Sequence, residues 1–243
     1  MTAQDVKKAL AAQGSADDAV FLQRFFKTGE GQYGAGDVFI GVRMPVIRQI
    51  CKQFAALPLP EVQKLLDSEV HEHRMAGLII LATGYKKASA PQQQAIYDLY
   101  LRNVKKGRVN NWDLVDVTTE FVIGEYLRNR PRDILFTLAK SDNIWQRRVA
   151  IMSSFAFVKT GDPSTTLQLA ELLLQDKHDL IQKAVGWMLR EIGKRVDRQL
   201  LLDFLEQHAH DMPRTALRYA IEHLPPAQKA HFMQARAARG STR

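Results

Sequence analysis

Cysteine is nearly absent: Cys51 is the only one in 243 residues. That excludes an intramolecular disulfide and any cluster built on several cysteine ligands, so neither an iron-sulfur centre nor a zinc ribbon fits. No apolar stretch approaches the ~18 residues needed to span a bilayer. The N-terminal stretch carries Asp5, Lys7 and Lys8 where a signal peptide would be apolar, which places the expected location in the cytoplasm. No Gly-x-Ser-x-Gly turn and no phosphate-binding loop occurs, and Cys51 sits in a helical pattern without a nearby histidine, so nucleophilic hydrolysis has no support. Metal-ligand spacing is missing too. His71 and His73 flank Glu72, but two residues apart on a helix they diverge, and a solvated helix face is the expected reading. The letters Gly29-Glu30-Gly31-Gln32-Tyr33-Gly34 match a dinucleotide fingerprint but follow a helical stretch and open no strand-turn-helix unit, so a flexible loop is expected there.

What is present is hydrophobic mass and positive charge. A content of 46% hydrophobic and 25% charged residues suffices for a sizeable core. A net charge of +8 and a pI near 9.6 favour a polyanionic partner such as DNA or RNA. Nearly every segment reads at helical period, and Pro45, Pro60, Pro91, Pro131, Pro163, Pro213 and Pro225 fall near helix starts or boundaries. The periodicity predicts helices over 2–12, 16–27, 44–56, 60–67, 70–87, 91–104, 112–129, 131–140, 143–159, 164–175, 178–195, 198–209, 213–223 and 226–238, and no strand ladder. Short connections favour antiparallel neighbours, and the long helices near 70, 112, 143 and 178 recur as helix-pair repeats of the HEAT kind do. The expected architecture is therefore all-α: one domain over 1–243, helix pairs stacked into a curved α-solenoid with a concave basic groove, and a frayed basic tail at 235–243 adding weak phosphate attraction.

Two helices carry aromatic and charged residues on one side. In Asn111-Trp112-Asp113-Leu114-Val115-Asp116, the indole and the second carboxylate lie four residues apart and share a face at ~100° per residue, with Leu114, Val117 and Phe121 expected on the core side. Lys183, Trp187, Arg190 and Lys194 occupy a narrow arc of a second helix, while Ile181, Val185, Leu189, Ile192 and Val196 crowd the other. An aromatic among cations suits nucleic acid. The helix from Ile144 to Lys159 is apolar nearly all round and carries Arg147 and Arg148 in its first turn, where burial demands a carboxylate or a phosphate as partner. Asp142 or Asn143 is the candidate cap there. Arg214 and Arg218, one turn apart, either grip phosphates or pair with Glu222.

At these residues the chain resembles the AlkD-type DNA alkylation repair family, DNA glycosylases built from HEAT-like repeats. The resemblance spans most of the chain and is carried by Phe39-Ile40-Gly41-Val42-Arg43-Met44-Pro45, by the block from Asn111 to Asp116, by Ser141 to Arg148 and by Ile181 to Glu191. It implies excision of purines made cationic by alkylation at N3 or N7 from double-stranded DNA held in the groove. By motif position it implies that Asp116 is the catalytic acid, that Trp112 and Trp187 embrace the lesion-bearing nucleotide, and that Arg148 and Arg190 hold the distorted backbone. Lys183 and Lys194 join them as expected DNA-binding cations. It also implies a monomer acting on the nucleoid without cofactor or metal, leaving the lesion in the duplex rather than flipping it deeply. Phe25 or Phe26 stands where a member of the family carries a tyrosine. Asp113 is expected to buffer the helix N-terminus, a structural alternative that Asp116 shares. The other readings are a HEAT-repeat protein that binds distorted DNA without excising bases, and a scaffold that binds another protein.

Overall fold

The computed structural model describes residues 1–240, with side-chain surroundings to residue 234, so the expected tail at 235–243 lies outside the residues whose side chains are described. The described chain is helical throughout. Among the described residues β-pairing is confined to one isolated parallel bridge, Val38 with Val70. The chain divides into two compact units, one over Met1–Tyr126 and one from Leu127 onward.

The first unit comprises α1 (Ala3–Ala11), α2 (Ala16–Gln23), α3 (Met44–Gln53), α4 (Leu59–Leu66), α5 (His71–Tyr85), α6 (Ala90–Lys105) and α7 (Trp112–Thr119). A π-helical turn over Glu120–Gly124 and a short α8 (Glu125–Leu127) follow. The helices start where local chemistry directs: Thr2 and Ser89 close capping boxes, Ser15 and Asn111 accept from backbone amides, and α3, α4 and α6 carry proline in their first turn. Helix α5 is the centre of this unit, packing against α1, α3, α4, α6 and α7. Its apolar run from Met75 to Ala82 is buried all round, as a helix with neighbours on every side requires. The Phe39–Pro45 segment is fixed on α5 by Glu72, whose buried carboxylate accepts from the amides of Ile40, Gly41 and Val42 at 3.1, 2.8 and 3.3 Å. Gly41 has φ +76°, and a Cβ there would lie 2.0 Å from the Ser15 carbonyl oxygen, so only glycine is accommodated.

The second unit comprises α9 (Asp133–Ala139), α10 (Ile144–Ser153), α11 (Phe155–Val158), α12 (Ser164–Leu172), α13 (Asp179–Arg195), α14 (Arg198–His208), α15 (Arg214–Ala220) and α16 (Pro226–Gly240). Here α13 is the centre, packed against α10, α11, α12, α14 and α15. The approach of α15 is so close that a Cβ on Gly186 would stand 2.3 Å from the Ala216 carbonyl oxygen.

Helix boundaries agree with the sequence pattern within a few residues, and three departures have local causes. The second helix ends at Gln23 instead of 27, because the amides of Arg24, Phe25 and Phe26 turn to i−3 carbonyls. The 143–159 helix breaks at Ser154, whose hydroxyl donates to the Ile151 carbonyl. The 112–129 helix is interrupted by the π turn. Segment 29–34 is organised into hydrogen-bonded turns, with the Gly34 amide donating to the Lys27 carbonyl at 2.8 Å.

Candidate nucleic-acid interface

Trp112 and Asp116 lie at the start of α7, both half-buried, one turn apart. The expected core side needs correction. Leu114, Val115, Thr118, Thr119, Val122 and Ile123 are buried, as are Asp113, Glu120 and Gly124, whereas Val117 and Phe121 are only half-buried. Burial follows steps of four rather than three, and the wider π turn keeps Val122 and Ile123 on the packed side. Thr118 donates to the Leu114 carbonyl at 2.5 Å and receives the buried Tyr100 hydroxyl at 2.7 Å, anchoring this side of α7 on α6.

The first turn of α7 is held by a buried polar network that the sequence reading missed. Asp37 accepts from Arg74 at 2.6 Å, from Asn111 at 3.0 Å, from Asn110 at 3.2 Å and from Nδ1 of His71 at 3.2 Å. Nε2 of the same histidine meets the Asp113 carboxylate at 2.8 Å, and the other Asp113 oxygen accepts the Leu114 amide. His71, expected on a solvated face, is therefore a correction: it is buried, because its ring packs between Asp37 and the first turn of α7, while His73 is half-buried. Asp113, expected to buffer the helix N-terminus, accepts the Leu114 amide in that first turn and is in addition a buried partner of His71. Asn111 supplies the cap, accepting the Trp112 amide at 2.9 Å.

The charges in this network reinforce one another. Burial disfavours a charged His71, but the carboxylates of Asp113 and Asp37 outweigh it and push its pKa up to about 9. Burial also works against ionised Asp37, yet the hydrogen bond from His71, the charge of Arg74 and the hydrogen bond from Asn111 hold its pKa below the ordinary value. His73, partly buried near Lys7 and Arg74, is pushed down to about 4 and is neutral.

Aromatic rings cover the network. Phe26 stacks on Trp112 at 5.4 Å and on Phe39 at 4.9 Å, and Phe39 stacks on His71 at 4.7 Å. The Trp112 indole N–H donates to the Phe25 carbonyl at 3.4 Å. Phe26 thus occupies the position beside Trp112, and Phe25 points outward. A pocket of about 90 Å³ opens among Phe26, Phe39, Met44, Met75, His71 and Asp113.

In the second unit, Lys183, Trp187, Arg190 and Lys194 lie along one side of α13, and Ile181, Val185, Leu189 and Ile192 are buried on the other, as the pattern predicts, while Val196, just past the helix end, is only half-buried. Trp187 donates to Glu191 at 3.3 Å, and its ring centroid is 6.5 Å from that of Phe155, which is itself flanked by Lys159 and Arg195. Lys183 pairs with Asp179 at 3.0 Å, Arg190 pairs with Glu222 and, at 3.5 Å, with Glu191, and Lys194 is exposed. Glu222 is therefore taken by Arg190, while Arg214 and Arg218 face solvent. Arg190, Lys194, Arg198 and His223 line a pocket of about 340 Å³ floored by Leu201 and Leu224. Arg148 is 5% exposed and donates to the Leu180 carbonyl, joining α10 to α13. Arg147 finds a carboxylate, Asp176 at 2.7 Å, and Asn143 caps the helix by accepting the amides of Trp145 and Gln146. Among the described residues no group of His, Cys, Asp or Glu is placed to hold a metal ion, and no helix is long and apolar enough to cross a membrane.

The residues from 6 to 224 match the sequence model of a family described as DNA alkylation repair enzyme. The chain belongs to the DNA alkylation repair enzyme family. A solved structure, a predicted DNA alkylation repair enzyme from Enterococcus faecalis, shares its fold with a TM-score of 0.67 at 18% identity, covering 88% of this chain and 98% of that one. No curated protein matches the chain. The family match takes in both aromatic-bearing helices, α7 and α13, and the all-helical architecture expected from periodicity is that of the family's solved fold.

Proposed function

We propose that this DNA alkylation repair protein is a monofunctional DNA glycosylase. It excises purines alkylated at N3 or N7 from duplex DNA, as a monomer and without a cofactor. The observation that carries this reading is the Trp112–Asp116 pair on the half-exposed side of α7, set on a buried charged platform. A purine cationic through alkylation departs as a neutral base and needs no protein acid. Positive charge then develops on the sugar, and the carboxylate of Asp116 stabilises it and orients the attacking water. Trp112 and Trp187 present aromatic faces to the nucleotide. Discrimination rests on the lability of the glycosidic bond in the damaged nucleotide, so a deep base-shaped pocket is unnecessary.

Phosphate contact falls first to Lys194, which is exposed, and to Lys183 and Arg190, which exchange surface carboxylates for phosphates. Arg148 is committed to the Leu180 carbonyl in this structure and reaches a phosphate only by leaving it.

The test is single-turnover release of 7-methylguanine and 3-methyladenine from methylated duplex DNA by wild type and by Asp116→Asn. Release by wild type, reduced at least ~100-fold in the variant with duplex affinity retained, is the expected result. Equal loss of release and affinity assigns Asp116 a structural role. No release by wild type, with duplex binding retained, replaces the glycosylase by a non-catalytic DNA-binding protein.

A further inference from the structure

The His71 imidazole faces a carboxylate at each ring nitrogen: Asp37 on Nδ1 at 3.2 Å and Asp113 on Nε2 at 2.8 Å. A neutral imidazole carries one N–H and one lone pair, so whichever tautomer formed would aim its lone pair at a carboxylate. Only the imidazolium donates to both. Arg74 is the second cation of the cluster, bound to Asp37 at 2.6 Å, so two cations balance the two aspartates in a site from which water is nearly excluded. The remaining charged group beside the ring is Glu72 on α5 itself, whose carboxylate is turned to the amides of residues 40–42. Phe39 and Phe26 lie against the ring at 4.7 and 5.1 Å, placing aromatic π density beside the charge.

Both residues that flank Trp112 in sequence end in this cluster: Asn111 through Asp37, and Asp113 through His71. Trp112 is also tied to the cluster through its own ring, by way of Phe26. The first turn of α7 therefore has its orientation on α5 set by a charged hinge pin rather than by apolar packing alone. Loss of the His71 proton would leave either Asp113 or Asp37 facing a lone pair, and a net negative charge buried under that turn.

Resting on the glycosylase reading above, we propose that His71 is a positioning residue, held as an imidazolium between Asp37 and Asp113, that aims Trp112 and Asp116 by locking the first turn of α7 onto α5. It touches no substrate. Its effect reaches the reaction through α7, where a displacement of about 1 Å is enough to lower a rate ~100-fold.

Three readouts on the full-length protein test this. First, ¹⁵N NMR of free wild type at pH 7.5 should show both His71 ring nitrogens protonated, with the signature persisting until the pH approaches about 9; a neutral tautomer at pH 7.5 would overturn the proposal. Second, in protein labelled with 5-fluorotryptophan, the ¹⁹F resonance assigned to Trp112 by its loss in Trp112→Phe should move in step with the His71 titration. That step should vanish in His71→Gln, and a Trp112 resonance indifferent to the titration removes the positioning role. Third, the wild-type rate should fall as pH rises through about 9, and His71→Gln should lower single-turnover excision roughly 10- to 100-fold with duplex affinity within about twofold and should abolish that alkaline fall. A wild-type rate in the variant sinks the idea. Absence of excision by wild type removes the glycosylase reading alone, because the two NMR readouts still decide whether His71 is charged and coupled to Trp112.

Discussion

The two aromatic-bearing helices are held in opposite ways. In the first unit, α7 is short, ends in a π turn, and takes its orientation from buried ions: Asp37, His71, Arg74 and Asp113. In the second unit, α13 is a 17-residue helix positioned by apolar packing and by the close approach of α15 at Gly186, while Lys183 and Arg190 pair with the exposed carboxylates of Asp179 and Glu222, Arg190 also with the buried Glu191. The difference matches two kinds of work. A carboxylate that must meet a developing charge needs fixed geometry, and buried ion pairs are directional and intolerant of displacement. Cations that hold phosphates need exchangeable partners, and exposed pairs are weak enough to be given up to a polyanion.

The largest expected effect that separates the two is loss of Asp37. Asp37→Ala strands His71 and Arg74 with one carboxylate between them and should destabilise the protein by about 3–5 kcal/mol in urea unfolding. A comparable charge removal in the second unit, Glu222→Gln, should change stability by no more than ~1 kcal/mol, since that carboxylate is half exposed. Equal effects would erase the distinction. Next in size is the packing of α13: Gly186→Ala drives a methyl group into the Ala216 carbonyl and should cost about 1–3 kcal/mol, measured by the same method.

Alkaline pH sharpens the contrast without mutation. The pKa of His71 is raised from 6.5 to about 9, so its stabilising contribution is fully present below 6.5 and is lost as pH rises through about 9. Asp37, with a depressed pKa, contributes above its ordinary 3.8 and loses that contribution as pH falls through its lowered value. The melting temperature of wild type should therefore decline toward pH 9 and above, and His71→Gln should flatten that decline. The smallest effect concerns DNA binding. Arg190→Ala and Lys194→Ala should each reduce the slope of log affinity against log salt by about 1, measured by fluorescence anisotropy on duplex DNA. Slopes unchanged in both variants would take these cations out of the interface.

How much of this was legible in the sequence depends on the range of the forces involved. Helix α13 was expected over 178–195 and is found at Asp179–Arg195, because its apolar stripe repeats at helical period over the whole length. Asn143 was one of two candidate caps and is the one used, since capping is settled within three residues. Trp112 and Asp116 were placed on one side of a helix by spacing alone, and that side is the half-exposed one. Regular helical period places Val117 and Phe121 in the core; Phe121 departs from it inside the π turn at Glu120–Gly124, which has no sequence mark of its own, whereas Val117 lies before that turn and is half-buried on α7 itself. The one usable signal for His71 was its place beside an apolar run buried all round, which implied neighbours on every side of that helix.

By itself, then, the sequence determined the helices, their caps, the positive charge and the faces that carry Trp112, Asp116, Trp187 and the α13 cations, since all of these follow from local periodicity and composition. Only the tertiary structure decided that Asp37, His71 and Asp113 meet, across separations of 34 and 42 residues. A buried charge survives only where a partner from a distant segment arrives to meet it, and no local pattern encodes that arrival.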